Sequence, residues 1–134
     1  MILIKNGYIK PMVGADLPSG CVLLGDDGKI MQVAASIEAP ANCTVIDAEG
    51  RLVTPGCVEA HCHIGLDGIA TREKDYNENL NPITPNVRVI DGIDPMEEGL
   101  KNAIEGGVTC GCVTPGSSNV IGGNACVIKF PGIR

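Results

Sequence analysis

Two histidines, His61 and His63, stand two residues apart in the run His61-Cys62-His63, and no other histidine occurs in the chain. In a strand, residues i and i+2 project to the same face, so the two imidazoles can converge on one point. Neutral imidazole is a good ligand for zinc and similar divalent ions. Catalytic zinc takes at least three protein ligands, so spacing alone leaves the pair open between a metal site and two ordinary histidines. Seven cysteines, at 21, 43, 57, 62, 110, 112 and 126, are the other soft donors. None forms a C-x-x-C pair, and an odd number does not describe a disulfide framework. Most lie in apolar runs such as Cys21-Val22-Leu23-Leu24, where a free thiol behaves as a small buried hydrophobe. A small structural zinc site could join the histidines to Cys57 or Cys62. Against it, Cys62 should point to the opposite face, and Cys57 lies about 13 Å away along a strand rising about 3.3 Å per residue. Glu59 shares the histidines' face on a regular strand. It is either an acid that backs the pair or an interior residue bonded to neighbouring backbone.

The elements that must position these residues are mostly short strands. Ile2 to Ile4 and Tyr8 to Ile9 flank Asn6-Gly7, a type I′ hairpin signal. Cys21 to Leu24 and Lys29 to Val33 flank a second turn at Asp26-Asp27-Gly28. Thr44 to Asp47 predicts another strand, and Glu49-Gly50 turns the chain into Arg51-Leu52-Val53. Strands joined by glycine turns without a helix suggest an antiparallel sheet, half of a small sandwich.

The character changes at Thr54-Pro55-Gly56, after which an apolar stretch, a predicted buried strand, leads into the histidines. Residues 67 to 94 read as a long polar loop. Its acidic and amide-rich part, Asp67 to Asn81, is either a cover over a substrate pocket or a solvated loop. A helix follows, with Asp94 as N-cap, Pro95 at N1, Glu97 at N3, and an apolar stripe of Met96, Leu100, Ala103 and Ile104. Gly106-Gly107 ends it. Val108 to Val113 is the next strand. Strand, loop, helix, strand is a βαβ unit with parallel strands, which places His61 and His63 beside the start of Val108–Val113 or its neighbour. Gly122-Gly123 lacks the lysine and spacing of a phosphate-binding loop. A last apolar run covers Ala125 to Phe130.

The 134 residues are 44% apolar and 19% charged, with 10 basic against 16 acidic side chains and a net charge of −6. No basic stripe exists to displace counterions from nucleic acid or to hold an anionic membrane surface. One Phe, two Tyr and no Trp leave little for a stacking surface. No apolar run approaches the roughly 20 residues of a membrane span, and the first residues lack a signal-peptide core. A cytoplasmic location is expected.

The run Val53-Thr54-Pro55-Gly56-Cys57-Val58-Glu59-Ala60-His61-Cys62-His63 resembles the signature of the amidohydrolase superfamily of metal-dependent hydrolases. That pattern is Pro-Gly, two apolar residues, an acid, any residue, then H-x-H. Asn81-Pro82-Ile83-Thr84-Pro85, Asp91-Gly92-Ile93-Asp94-Pro95, Gly106-Gly107-Val108-Thr109 and Pro115-Gly116-Ser117-Ser118-Asn119-Val120-Ile121-Gly122-Gly123 resemble one subgroup, imidazolonepropionase-like or dihydroorotase-like. The similarity runs from Ile2 onward.

The resemblance implies an α/β fold with an N-terminal β segment. Residues 1–52 would be a partial β-sandwich, completed in the family from the far C-terminal end. Residues 53–134 would start a TIM-like barrel, with about two to three of its eight strands. A barrel needs about 250 residues, and roughly 80 follow Val53, so an N-terminal fragment is expected. The resemblance makes His61 and His63 two ligands of a divalent metal, zinc above others. The other family ligands are a carbamylated lysine or carboxylate, two further histidines and an aspartate that would be the base; these lie beyond this chain. The complete enzyme would hydrolyse non-peptide carbon–nitrogen bonds of a small molecule, with this chain alone inactive. A truncated product or interaction module is the rival, and a homo-oligomer is compatible with either.

Overall fold

The computed structural model describes residues 1–68 and 76–130. The chain divides into two compact units, Met1–Pro55 and Gly56–Arg134.

The first unit is a five-stranded sheet of β1 (Ile2–Ile9), β2 (Leu17–Leu24), β3 (Ile30–Ala34), β4 (Thr44–Asp47) and β5 (Leu52–Val53). β1 sits centrally, with β2 antiparallel to it and β3 antiparallel to β2 on one side, and β4 and β5 parallel to β1 on the other. The sheet is thus mixed rather than antiparallel. The Asp26-Asp27-Gly28 turn joins β2 to β3 as expected, closed by Gly25 N–H donating to the Lys29 carbonyl at 2.9 Å. Asn6-Gly7, by contrast, does not form a hairpin. Asn6 adopts the left-handed φ of 55° that the signal calls for, but it spends it on an irregularity within a continuous β1, where the register with β2 shifts. Before the shift β1 pairs with β4, and after it with β5. A bulge and a hairpin ask for the same residue types, and long-range pairing decided between them. One face of the sheet buries Leu3, Cys21 and Leu23, with Met1, Ile37 and Cys43 packed against them.

The second unit holds β6 (Cys57–Cys62), a 3₁₀ turn (Val89–Asp91), α1 (Glu98–Glu105), β7 (Val108–Val113) and β8 (Cys126–Lys129). β6 and β7 are parallel, as a βαβ unit requires. β8 is antiparallel to β7, so the last apolar run adds no third parallel strand, and the described residues form no closed barrel. The connection, residues 114–125, carries no crossover helix and returns the chain antiparallel alongside β7. Leu100 of α1 is buried, α1 lies against β7, and Val113, Val89 and Phe130 complete the buried apolar set. The helix starts later than its sequence signals. Asp94 Oδ1 accepts the Met96 N–H at 2.9 Å and closes a separate turn. Glu97 is then extended at ψ 133°, and α1 begins without a side-chain cap.

The expectation of a buried first strand fails: Cys57 to His61 are exposed, with Val58 at 69%. Among the described residues β6 pairs with β7 alone, so its outer edge is open there. The cysteines divide likewise. All seven are free thiols, but only Cys21 is buried, Cys57 is exposed and the rest are half-buried. Among the described residues no helix is long and apolar enough to cross a membrane.

Candidate metal half-site

The start of β6 is fixed by a close backbone approach. A Cβ on Gly56 would stand 2.2 Å from Thr109 Oγ1 on β7, so only glycine fits. Cys57 N–H donates to the Gly107 carbonyl at 2.9 Å. From this anchor β6 runs parallel to β7 and brings His61 and Cys62 to its C-terminal end, with Thr114 N–H donating to the Cys62 carbonyl at 2.8 Å. The histidines therefore lie at the C-terminal end of β7, not beside its start, because parallel strands carry their C-terminal ends to the same side.

There the two rings meet edge to face, 5.3 Å between centroids. Thr114 lies against both. His63 Nδ1 is 2.8 Å from the Thr114 carbonyl oxygen, and Thr114 Oγ1 is 3.3 Å from His61 Nε2 and 3.4 Å from His63 Nδ1. Tyr76 stacks on the other side of His63, 4.3 Å between centroids and 16° from parallel. His61 is exposed and His63 half-buried.

Two further ties hold the chain after the histidines. Asp94 N–H donates to the Gly65 carbonyl at 2.8 Å. The Asp67 N–H donates to Glu97 Oε2 at 3.1 Å. The Glu97 carboxylate predicted to complete a helix cap is thus used at the site instead.

The stretch read as a long loop is stitched to the glycine-rich loop after β7. Gly116 N–H donates to the Tyr76 carbonyl at 2.7 Å, Val120 N–H to Pro82, Thr84 N–H to Ile121, and Val89 N–H to Asn124. Ser118 Oγ donates to Asn77 Oδ1 at 3.1 Å. A Cβ on Gly116 would lie 1.9 Å from that same Asn77 oxygen. Residues 76–89 are therefore tied along their length to a second loop, while most of them remain exposed to solvent. Residues 69–75, the middle of the predicted cover from Asp67 to Asn81, lie outside the described residues. Gly123 presses on the Val87 carbonyl and presents no open phosphate cradle.

The remaining candidates fall away from the rings. Glu59 Oε1 accepts the His61 backbone N–H at 3.0 Å, so it braces the strand. Cys62 Sγ donates to the Cys112 carbonyl at 3.5 Å, and burial pushes its thiol pKa up. Cys126 is raised by the same cause. Among the described residues no three His, Cys, Asp or Glu side chains converge on one point. A divalent ion would find here two imidazoles of suitable chemistry. The Nδ1 contact of His63 leaves its Nε2 for such an ion, so the residues fit part of a metal centre. Sequence reasoning missed Thr114. Its position directly after β7, level with the residues following β6, was the available signal.

No family model matches the chain. It is 40% identical over 94 residues to amidohydrolase tasK of Hapsidospora irregularis, covering 69% of this chain and 10% of that protein. To a dihydroorotase of Ruminiclostridium cellulolyticum it is 33% identical over 129 residues, covering 96% of this chain and 24% of that one. The crystal structure of an amidohydrolase from Thermotoga maritima superposes with a TM-score of 0.85 at 38% identity, over 100% of this chain and 35% of that one. The chain thus spans about a third or less of the proteins it matches. Its mixed β-sheets and few helices match a β-rich N-terminal domain of amidohydrolases. The chain belongs to the amidohydrolase superfamily.

Proposed function

We propose that this chain supplies the first two ligands, His61 and His63, of a divalent metal centre in an enzyme hydrolysing non-peptide carbon–nitrogen bonds. Amides and cyclic amidines of small molecules are the substrate class, and zinc suits the imidazole donors best. The observation that carries the reading is the meeting of both rings at Thr114. That point lies at the C-terminal ends of two parallel strands, the end where open α/β sheets and barrels bind ligands. Relatives named amidohydrolase and dihydroorotase support a hydrolytic role.

A metal bound there supplies polarisation of the scissile carbonyl and a water whose pKa falls towards 7. The chain's own residues do the holding. β6 and β7 bring the histidines to one level, Tyr76 backs the His63 ring, and Glu59 braces the His61 backbone. The chain has no further histidine to complete the centre, so the remaining ligands and the base come from other parts of the complete protein. The isolated chain is then inactive, and the complete enzyme works in the cytoplasm.

Calorimetric titration of the chain with zinc should show weak binding that His61→Ala and His63→Ala each reduce. In the complete protein the same substitutions should abolish hydrolysis of a panel of cyclic amides. Full activity in both variants would overturn the reading. Sub-micromolar zinc affinity in the chain alone would show a complete site within it.

A further inference from the structure

We propose that Thr114 is the positioning residue of the histidine pair: its carbonyl fixes His63 in the tautomer that keeps Nε2 free to ligate, and its hydroxyl sets the orientation of His61. The proposal rests on the reading of His61 and His63 as metal ligands.

A backbone carbonyl can only accept, so at 2.8 Å from it His63 Nδ1 must carry the hydrogen. In the neutral ring the other nitrogen, Nε2, then holds the lone pair. Carbonyl partners of this kind fix the tautomer and aim of metal-binding histidines. The carbonyl is itself well placed, since the Thr114 N–H is tied to Cys62 O, the residue between the two histidines.

The hydroxyl does a different task. Oγ1 lies within 3.4 Å of His61 Nε2, His63 Nδ1 and the Cys62 carbonyl. Two of these neighbours have settled roles: His63 Nδ1–H is a donor, and the Cys62 carbonyl an acceptor. His61 Nε2 is the third corner, 3.3 Å from the hydroxyl, and this contact occupies Nε2 and leaves Nδ1 as the nitrogen His61 would offer an ion. His61 is exposed, so beyond its edge-to-face contact with the His63 ring packing does little to hold it. Loss of the hydroxyl should free its χ angles while leaving His63, held by backbone, as it is. The two histidines therefore respond differently to one substitution, which a general loss of folding would not produce.

The test uses the full chain labelled with ¹⁵N and ¹³C, with imidazole shifts read in solution or, for associated material, in the solid state. In the wild type His63 should show hydrogen on Nδ1 and a lone pair on Nε2. Thr114→Val should leave that pattern in place while averaging the His61 signals towards those of free imidazole. Thr114→Ser should restore the wild-type spectrum. Zinc added alone should shift His63 Nε2 in all three, and Thr114→Val should weaken zinc binding about 10-fold, the low end for loss of such a partner. Hydrogen on His63 Nε2 in the wild type overturns the proposal, as does a Thr114→Val spectrum and zinc affinity identical to wild type. The tautomer measurement on the wild type needs no variant to fold. Zinc that leaves both rings unmoved, with the tautomers as stated, counts against the metal reading and supports the positioning by Thr114.

Discussion

The His63 imidazole and the Tyr76 phenol lie nearly parallel, 4.3 Å apart. Tyr76 begins the segment stitched to the loop after β7, its carbonyl accepting the Gly116 N–H. The stack thus joins the second histidine to the stitched loops. An aromatic pair of this kind is worth about 0.5–1.5 kcal/mol beyond the area it buries. The unfolding free energies of Tyr76→Leu, which loses the ring, and Tyr76→Phe, which keeps it, should differ by about that much, read from their denaturant midpoints at unchanged slope. Equal effects of the two would mean that the ring contact contributes nothing.

Gly56 offers a sharper steric test. Gly56→Ala forces a methyl onto Thr109, whose Oγ1, Cγ2 and Cβ lie 2.2, 2.4 and 2.9 Å from the added carbon. Overpacking of this sort costs about 1–3 kcal/mol. Adding Thr109→Ala removes the two closest atoms and should recover part of the loss. A double variant no more stable than Gly56→Ala would place the damage elsewhere.

Acid should act on the first unit through Asp47. Its carboxylate accepts the Glu49 N–H at 3.0 Å and Asn6 Nδ2 at 2.9 Å, with Lys5 Nζ at 3.6 Å. The Glu49 hydrogen bond leads in holding the pKa below its ordinary 3.8. The folded state favours the charged form, so this stabilisation is complete above the unfolded value and is lost as pH falls through the lower folded one. Protection of the Glu49 and Gly50 amides, measured against the intrinsic exchange rate at each pH, should fall below about pH 4. Asp47→Asn should flatten that response. A wild-type turn with unchanged protection down to its folded pKa and below would contradict the assignment.

Both units leave apolar surface uncovered. Ile4, Val22, Leu24, Ile30 and Val33 line a cleft of about 240 Å³ in the first sheet, and Val58 on the unpaired edge of β6 is largely exposed. Such surfaces and open edges promote association. On size-exclusion chromatography the chain alone should run as oligomers or aggregate, and Ile30→Lys should reduce this. A soluble monomer melting cooperatively above about 45 °C, the low end for mesophile domains, would show a self-sufficient domain instead.

What was legible in the sequence was what local chemistry decides. The β2–β3 turn, the Thr44–Asp47 strand, the Val108–Val113 strand and the parallel β6–β7 pair follow from turn residues, β-branched runs and the βαβ order. The direction of β8, the β1 irregularity and the late start of α1 depend on partners distant in sequence. Asn6 could serve a hairpin or a bulge, and only β4 and β5 choose between them. The H-x-H pair was visible by its residue types. Its setting was not, because Thr114 and Tyr76 carry no periodic signal and meet the histidines only through contacts between positions distant in sequence.

The stitching of residues 76–89 to residues 116–124 also bears on when the site assembles. Thr114 Oγ1 and His61 Nε2 are separated by 53 positions, and the Asn119 to Asn81 bond spans 38. Contacts of that reach lose loop-closure entropy before any pairing compensates it, and chains rich in them fold slowly. The β2–β3 hairpin forms from neighbouring residues and carries no such delay. During synthesis, His61 and His63 emerge well before the strand and loop that orient them. The two imidazoles thus stand on an open chain, accessible to stray metal ions, until β7 and Thr114 have been made and have docked.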